Sequence, residues 1–264
     1  MQRYFDKENS RLIYVNREAS EDYWDNHWDV AQLRSRITAA SSSWVTKITS
    51  KFLRAPAAIL EGGCGLGSHV YALSKSGYHS FGVDYAPRTV EYLNSQFPEL
   101  DIRLADVRNL PFKDNTFDGY WSLGVIEHFW NGYEQIASEM SRVITKNGYL
   151  FLTYPSMSVL RRGKAHIGCY DVMPACDDEP ENFYQFAMAS ADVVSVFERV
   201  GFKLEYKAGL DGLKGIKDEI EVLRPWLQRL YDSQSFQARL VKGVINTALS
   251  KTCGHIDLLV FKKV

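Results

Sequence analysis

Residues 57–67 read AAILEGGCGLG, a short apolar run that leads directly into a glycine-rich turn. After the turn, Leu66, Val70 and Leu73 mark one face of a helix that ends before Gly77. In the order strand, glycine turn, helix, a ligand can lie close to backbone N–H groups because no side chain blocks its approach. This stretch therefore predicts a ligand site at the end of a buried strand.

Short apolar runs alternate with amphipathic helices on either side of that turn. Strands separated by helices of about 10 to 15 residues imply right-handed crossovers and a largely parallel sheet. The sequence therefore predicts an α/β fold, doubly wound around a mostly parallel seven-stranded sheet. The predicted strands are 57–60, 79–84, 101–106, 117–123, 147–155, 202–206 and 255–263.

Three segments lie outside this alternation. Residues 1–55 are rich in aromatic and charged side chains and are predicted to form a helical N-terminal cap, packed on the core or closing over a pocket. Residues 156–182 form a long polar stretch that predicts a lid-like loop. Residues 208–251 predict a helical insertion before the last strand, split near Pro225. The main domain then spans residues 56–264.

Charge and composition narrow the classes of partner and compartment. The 264-residue chain has 31 Lys plus Arg against 32 Asp plus Glu, a net charge of −1. This balance disfavours a nucleic-acid partner or a broadly membrane-binding surface, although the whole-chain count leaves room for a local basic patch. Because no signal peptide and no apolar run of about 18 residues is found, we expect a cytoplasmic protein without a membrane span.

The four cysteines are widely spaced, which disfavours a disulfide scaffold. His166 and Cys169, followed by Cys176, lack a fourth ligand at a sensible spacing. We therefore predict no metal site.

Asp84 is the acidic residue that follows the second predicted strand, 17 positions after Gly67. A carboxylate at the end of that strand can accept both hydroxyl protons of a ribose, so the spacing predicts a nucleoside-bearing ligand. The dinucleotide fingerprint G-x-G-x-x-G would need glycine at position 68, where Ser68 stands. An NAD-dependent oxidoreductase shares the turn and Asp84 and is the less favoured alternative.

The form G-x-G-x-G after an acidic residue resembles motif I of the class I S-adenosylmethionine-dependent methyltransferases, and in particular their type 11-like domain. The resemblance extends over about residues 57–155 in the family's order. The matching segments are EGGCGLG at 61–67, Asp84, LADVRNLPF at 104–112, FDGYWSLGVIEHF at 117–129 and NGYLFLTYP at 147–155.

This resemblance implies a Rossmann-like domain with strand order 3-2-1-4-5-7-6, the last strand antiparallel, and S-adenosylmethionine as cofactor, with S-adenosylhomocysteine as product. Asp84 would bind the ribose and Tyr85 would stack on adenine. The adenine edge would contact Asp106 and the Val107 N–H. The other implied cofactor-binding residues are Glu61, Gly63, Cys64, Gly65, Gly67 and Leu123.

Methyl transfer from a sulfonium requires mainly alignment of acceptor, carbon and sulfur, with proton removal only for some acceptors. His128 follows the fourth strand at the edge where ligands bind and is the candidate general base, with an orienting role as the alternative. The candidate substrate-binding residues are Glu127, Tyr154, Arg162, His166 and Tyr170.

Acceptor specificity is expected to depend on the cap, the 156–182 segment and the insertion. The acceptor is predicted to be a small molecule or a sugar- or lipid-linked metabolite, and nucleic acid is disfavoured by the charge. The apolar faces of the insertion could close the acceptor pocket or form a homodimer contact. A relative that binds the cofactor without turnover is the alternative to an enzyme.

Overall fold

A computed structural model of the chain describes residues 2–15, 23, 44–173, 178–180 and 182–264. Its strands are β1 (Gln2–Asp6), β2 (Arg11–Val15), β3 (Ala58–Gly62), β4 (His79–Asp84), β5 (Asp101–Leu104), β6 (Phe117–Leu123), β7 (Ile144–Pro155), β8 (Asp171–Val172), β9 (Phe183–Ala187), β10 (Phe202–Leu210) and β11 (Ile256–Lys263). Its α-helices are α1 (Trp44–Phe52), α2 (Ser68–Lys75), α3 (Pro87–Gln96), α4 (Glu134–Val143), α5 (Val159–His166), α6 (Ser190–Arg199), α7 (Gly212–Glu219), α8 (Arg224–Asp232) and α9 (Phe236–Cys253).

The main sheet has seven strands in the order β10-β11-β7-β6-β3-β4-β5. The five strands from β3 to β7 are parallel to one another, and β11 is antiparallel to both β7 and β10. Numbered by their order within this sheet, the strands follow 3-2-1-4-5-7-6 with the last one antiparallel. The predicted α/β fold is confirmed.

The central strands form the core because helices cover both faces of the sheet, so their apolar runs are buried without alternation. On β6, Tyr120 and Trp121 are fully buried on opposite faces. Trp121 stacks on Phe151 of β7, and its indole N–H donates to the buried Thr49 hydroxyl of α1 at 2.9 Å. Helix α1 is thereby fixed against the sheet.

The N-terminal segment corrects the helical prediction for residues 1–55. Residues 2–15 form an antiparallel hairpin of β1 and β2, which pairs with β8 and β9 in a second, four-stranded sheet. Strand β2 is buried over all of residues 12–15, so its sequence lacks the alternation that marks a half-exposed strand. The prediction is right for α1, whereas residues 16–22 and 24–43 lie outside the described part of the chain.

The 156–182 segment is also more regular than the predicted lid-like loop. It contains α5, whose first turn is capped by the Ser158 hydroxyl accepting from the Arg161 N–H. It then adds β8 to the second sheet, parallel to β1. The prediction of an irregular loop is therefore wrong for the described residues of this segment, because they build a helix and a strand of the second sheet, whereas a lid-like role stays a prediction.

The insertion is helical as predicted, but it begins later because β10 extends to Leu210. Helix α7 ends at Glu219, and Pro225 lies in the first turn of α8, where its missing N–H costs no hydrogen bond. The predicted break near Pro225 is confirmed. Among the described helices, none is both long and apolar enough to cross a lipid bilayer.

Candidate functional site

A cavity of about 620 Å³ opens at the carboxyl edge of the main sheet, beyond the ends of β3, β4, β5 and β6. This is the edge at which open α/β sheets bind ligands, and the volume is in the range of small-molecule sites. Of the predicted cofactor-binding residues, all but Gly67 line the cavity: Glu61, Gly63, Cys64, Gly65, Asp84, Tyr85, Asp106, Val107 and Leu123.

The glycine turn is shaped by positive backbone angles. Gly63, Gly65 and Gly67 have φ values of 71°, 47° and 65°, which side-chain-bearing residues rarely adopt. The N–H groups of Gly63 and Cys64 donate to the Val83 carbonyl at 2.9 and 3.0 Å, which fixes the turn against β4. Gly67 serves packing instead of lining the cavity, since an added Cβ would lie 2.8 Å from Ile102 Cδ1.

Asp84 is held by the backbone on both of its carboxylate oxygens. Oδ2 accepts from the Gly65 N–H at 2.7 Å, and Oδ1 accepts from the Ala86 N–H at 3.0 Å. These two bonds fix the orientation of the carboxylate. The carboxylate therefore connects the glycine turn to the end of β4 in an orientation suited to a diol.

The environment of Glu61 indicates whether the cavity fits a cofactor that carries a positive charge. Its side chain is buried, and Oε2 has no hydrogen-bond partner among the described residues. Burial, and then the neighbouring Asp84 charge, raise the pKa of Glu61 well above its usual value. A cation bound here would reverse that cost, so the residue fits the ammonium-bearing end of S-adenosylmethionine.

The other end of the cavity carries Tyr85, Asp106 and Arg108. Arg108 donates to Asp106 Oδ2 from Nε and Nη2 at 2.9 and 2.6 Å, and its backbone N–H donates to Oδ1 at 2.8 Å. Although burial acts in the opposite direction, these bonds lower the pKa of Asp106. Asp106 is therefore ionised and partly engaged by Arg108 at the position predicted to contact adenine.

His128 ends a short 3₁₀ helix, Ile126–His128, and lines the cavity. Its Nδ1 lies 2.6 Å from the Tyr184 carbonyl oxygen, which can only accept a hydrogen bond, so the proton is on Nδ1. Burial lowers the pKa of His128 to about 4. At neutral pH the ring is therefore uncharged, with Nε2 in its proton-accepting form.

Glu127 is buried beside His128, and its Oε2 lacks a hydrogen-bond partner within the described ranges. Burial raises the pKa of Glu127 to about 8. The side chain is therefore mostly protonated at neutral pH, and it lies next to the cavity without adding charge to it.

The substitution Glu127→Gln is expected to raise the free energy of unfolding above that of the wild type, by an amount that grows as pH rises. The folded protein holds this proton more tightly than the unfolded chain, whose value is near 4.5, so wild-type stability falls between pH 4.5 and 8. Glutamine has no charge to bury, and its advantage in the free energy of unfolding should reach about 5 kcal/mol above pH 8. Urea unfolding at pH 5 and pH 9 measures this, with the exposed Glu99→Gln as control. A difference that is the same at both pH values would contradict it.

None of the five predicted substrate-binding residues lines the cavity, although Glu127 adjoins His128, which does. Tyr154 is fully buried in the core, whereas Arg162 and His166 are exposed on α5. Tyr170 is buried and donates its hydroxyl to Glu219 Oε2 at 2.6 Å. Tyr154 lies within β7 itself, and α5 with the segment that follows it places the other three residues away from the cavity. Among the described residues, no His, Cys, Asp and Glu group could hold a metal ion, and Cys176 lies outside them.

The structure adds cavity residues that the sequence analysis did not single out, among them His69, Arg108 and Phe129. Each lies a few positions after a strand end, and that placement was the signal that could have found them. A second omission is the buried ion pair between Arg161 Nε and Glu219 Oε1, at 2.9 Å. Its partners are far apart in sequence, and no local pattern connects them.

Comparison with known proteins identifies the domain. Residues 60–152 match the methyltransferase domain family. A probable S-adenosylmethionine-dependent methyltransferase of Mycolicibacterium smegmatis is 25% identical over 193 residues, 73% of this chain and 64% of that protein. A bovine protein named probable tRNA methyltransferase 9B is 38% identical over 92 residues, 34% of this chain and 19% of that protein. The chain thus matches less than two thirds of the length of either relative.

The fold comparison agrees. A Haloferax volcanii methyltransferase, solved in complex with the Trm112 methyltransferase activator, superimposes with a TM-score of 0.57 over 94% of this chain and 98% of that one, at 13% identity. The predicted resemblance is confirmed over residues 60–152, which match a methyltransferase domain, and the Mycolicibacterium smegmatis relative is named as S-adenosylmethionine-dependent. The cofactor of this family is S-adenosylmethionine, as predicted, and the NAD alternative is not supported.

Proposed function

We propose that the chain transfers a methyl group from S-adenosylmethionine to a small-molecule or sugar- or lipid-linked acceptor by direct displacement. When bound, the cofactor supplies a methyl group already activated on a sulfonium. The observation that carries the proposal is the cavity that joins the glycine turn, the oriented Asp84 carboxylate and the unpartnered Glu61 oxygen. These features match the hydroxyl and ammonium groups of that cofactor.

The chain's own residues would act mainly by binding and orientation. Asp84 holds the ribose hydroxyls, and Glu61 holds the ammonium end, directly or through water. Leu123 presents backbone near the reacting end of the cavity, next to His128. Because proximity and alignment supply most of the rate for an activated donor, this arrangement does not require an ionised base.

His128 is the residue we assign to proton removal or acceptor orientation. The bond from Nδ1 to the Tyr184 carbonyl fixes both the tautomer and the ring, so that Nε2 accepts. A pKa of about 4 makes the neutral imidazole a weak base, which suits orientation of a hydroxyl or amine better than removal of a tightly held proton.

The proposed acceptor class is supported by the charge around the cavity. Of the lining residues in the described part of the chain, Arg108 is the one Lys or Arg, and it is paired with Asp106. Binding of a nucleic acid requires several cations that neutralise phosphates, and the whole chain has a net charge of −1. The tRNA-related name of the bovine relative concerns a match over 19% of that protein.

Transfer of label from methyl-labelled cofactor tests the proposal. The protein is incubated in turn with a lipid extract, a polar metabolite extract and bulk tRNA, and label is counted in each. We expect label in the lipid or metabolite fraction. His128→Asn is expected to lower transfer by about 10²–10⁴-fold if His128 moves the proton, and less if it only orients the acceptor, with cofactor affinity retained in either case.

Two results would count against the proposal. Label found in tRNA alone would overturn the acceptor class while leaving the methyltransferase activity intact. Cofactor binding by calorimetry without label in any fraction would favour a relative that binds the cofactor without turnover.

A further inference from the structure

Helix α9 carries apolar side chains on two opposite faces, and one of these faces is exposed to solvent. Its inner face packs on α7 and β10, where the Asn246 side chain accepts from the Leu213 N–H at 2.9 Å. On the outer face, Phe236, Leu240 and Val244 follow one another at intervals of four and are 75%, 56% and 70% exposed. Large apolar side chains grouped on an exposed helix face mark an interaction surface.

The segment before α9 adds two further exposed apolar side chains. Val222 is 84% exposed in the turn before α8, and Trp226 is 71% exposed on α8 itself. Helices α8 and α9 pack on each other, so the two sets belong to one module. We call the set formed by Val222, Trp226, Phe236, Leu240 and Val244 the insertion face.

Basic side chains accompany the insertion face. Residues 221–253 contain five Lys or Arg and two Asp or Glu, a net charge of +3 in a chain whose total is −1. Arg229 lies over the Trp226 ring at 5.8 Å, and Lys251 follows Val244 by seven residues on the same side of α9. Exposed aliphatic and aromatic side chains next to cations are the pattern of helices that lie in a membrane interface.

The charge also distinguishes between occupants. In a two-fold symmetric dimer the same surface faces itself, so two segments that each carry a net charge of +3 would be brought together. An anionic lipid surface instead attracts each cation and takes up the apolar side chains. We propose that the insertion face docks the protein peripherally on an anionic lipid bilayer, with α8 and α9 lying in the interface.

The topology places the insertion face on the same edge of the main sheet as the cavity, but outside the lining of the cavity. Strand β10 runs in the same direction as β7, since both are antiparallel to β11. The insertion therefore leaves and re-enters the sheet at the carboxyl edge, the edge that holds the cavity. No residue of the insertion face lines the cavity, so the inference does not depend on the proposed function.

Vesicle sedimentation tests the inference. The protein is mixed with vesicles of equal parts phosphatidylcholine and phosphatidylglycerol, and with vesicles of phosphatidylcholine alone. We expect sedimentation with the anionic vesicles, weakened by salt, and weaker binding to the neutral ones. The triple variant Phe236→Ser, Leu240→Ser, Val244→Ser is expected to lower binding at least about tenfold.

A matched control removes exposed apolar side chains elsewhere. Val159→Ser with Ile167→Ser, both exposed on or next to α5, should bind vesicles as the wild type does. Each variant is first shown to keep its melting temperature and its affinity for S-adenosylmethionine. The inference is overturned if the wild type does not sediment, or if the triple variant binds unchanged. It is equally overturned if light scattering shows a dimer that the triple variant dissociates, since the face would then belong to a second copy.

Discussion

Asp84→Ala is expected to lower the affinity for S-adenosylmethionine by about 10²–10⁴-fold. A carboxylate that accepts two ribose hydroxyl protons makes two charge-assisted hydrogen bonds, each contributing about 1.5–3 kcal/mol. The substitution also releases the Gly65 and Ala86 N–H groups that Asp84 now satisfies, so the glycine turn is left with only its bonds to the Val83 carbonyl of β4 among those described above. Methyl transfer should fall with the affinity.

Titration calorimetry with S-adenosylmethionine measures the effect, and a melting curve shows that the variant is folded. A cofactor concentration at 100 times the dissociation constant raises wild-type stability by about 2.7 kcal/mol, and this stabilisation should vanish in the variant. Asp84→Asn keeps the shape and one acceptor oxygen, so its loss should be smaller. Glu99→Ala, at an exposed carboxylate that does not line the cavity, is the control and should bind the cofactor as the wild type does. A folded Asp84→Ala that binds the cofactor as the wild type does would refute the assigned role.

The main sheet could be predicted because its determinants are local. Each apolar run from β3 to β7 is bounded by turn residues or an amphipathic helix. The positive φ angles of the glycine turn are indicated in the sequence by Gly63, Gly65 and Gly67, the residue type that adopts them readily. The carboxyl ends of parallel strands meet at one edge, so residues following successive strands must gather there. That rule alone brings Asp84, Asp106 and His128 to one cavity.

The second sheet could not be predicted in the same way. Strand β2 is buried along residues 12–15 and lacks a period of two, and β8 is two residues long. These short strands are stabilised by pairing between distant segments. Arg3 and Glu219, for example, are 216 positions apart and lie 2.6 Å from each other through Nη1 and Oε1. Neither residue type nor spacing in the sequence points to such a pair.

Glu219→Gln is expected to destabilise the folded protein by about 3–5 kcal/mol, the cost of leaving a buried cation without its counter-ion. The Glu219 carboxylate accepts from Arg161, Arg3, Lys164 and Tyr170, and the side chains of Glu219 and Arg161 are each 1% exposed. These contacts join the N-terminal hairpin, α5 and α7, so one substitution loosens three elements that are remote in the sequence. Asp101→Asn, which breaks the exposed pair with Arg103, is the control and should cost less than about 1 kcal/mol.

The pH dependence separates lost charge from lost shape at Glu219. Burial alone would raise the pKa of Glu219, but Arg161, Tyr170 and Arg3 outweigh it and lower that pKa to about 2. The unfolded chain takes up this proton near pH 4.5, so the carboxylate stabilises the fold above pH 4.5 and loses that effect as pH falls towards 2. Urea unfolding should therefore show that the difference in free energy of unfolding between the wild type and Glu219→Gln shrinks by about 3 kcal/mol as pH falls from 4.5 to 2. If the gap between them stayed constant down to pH 2, the network would stabilise the fold by shape and hydrogen bonding, and not by the charge of Glu219.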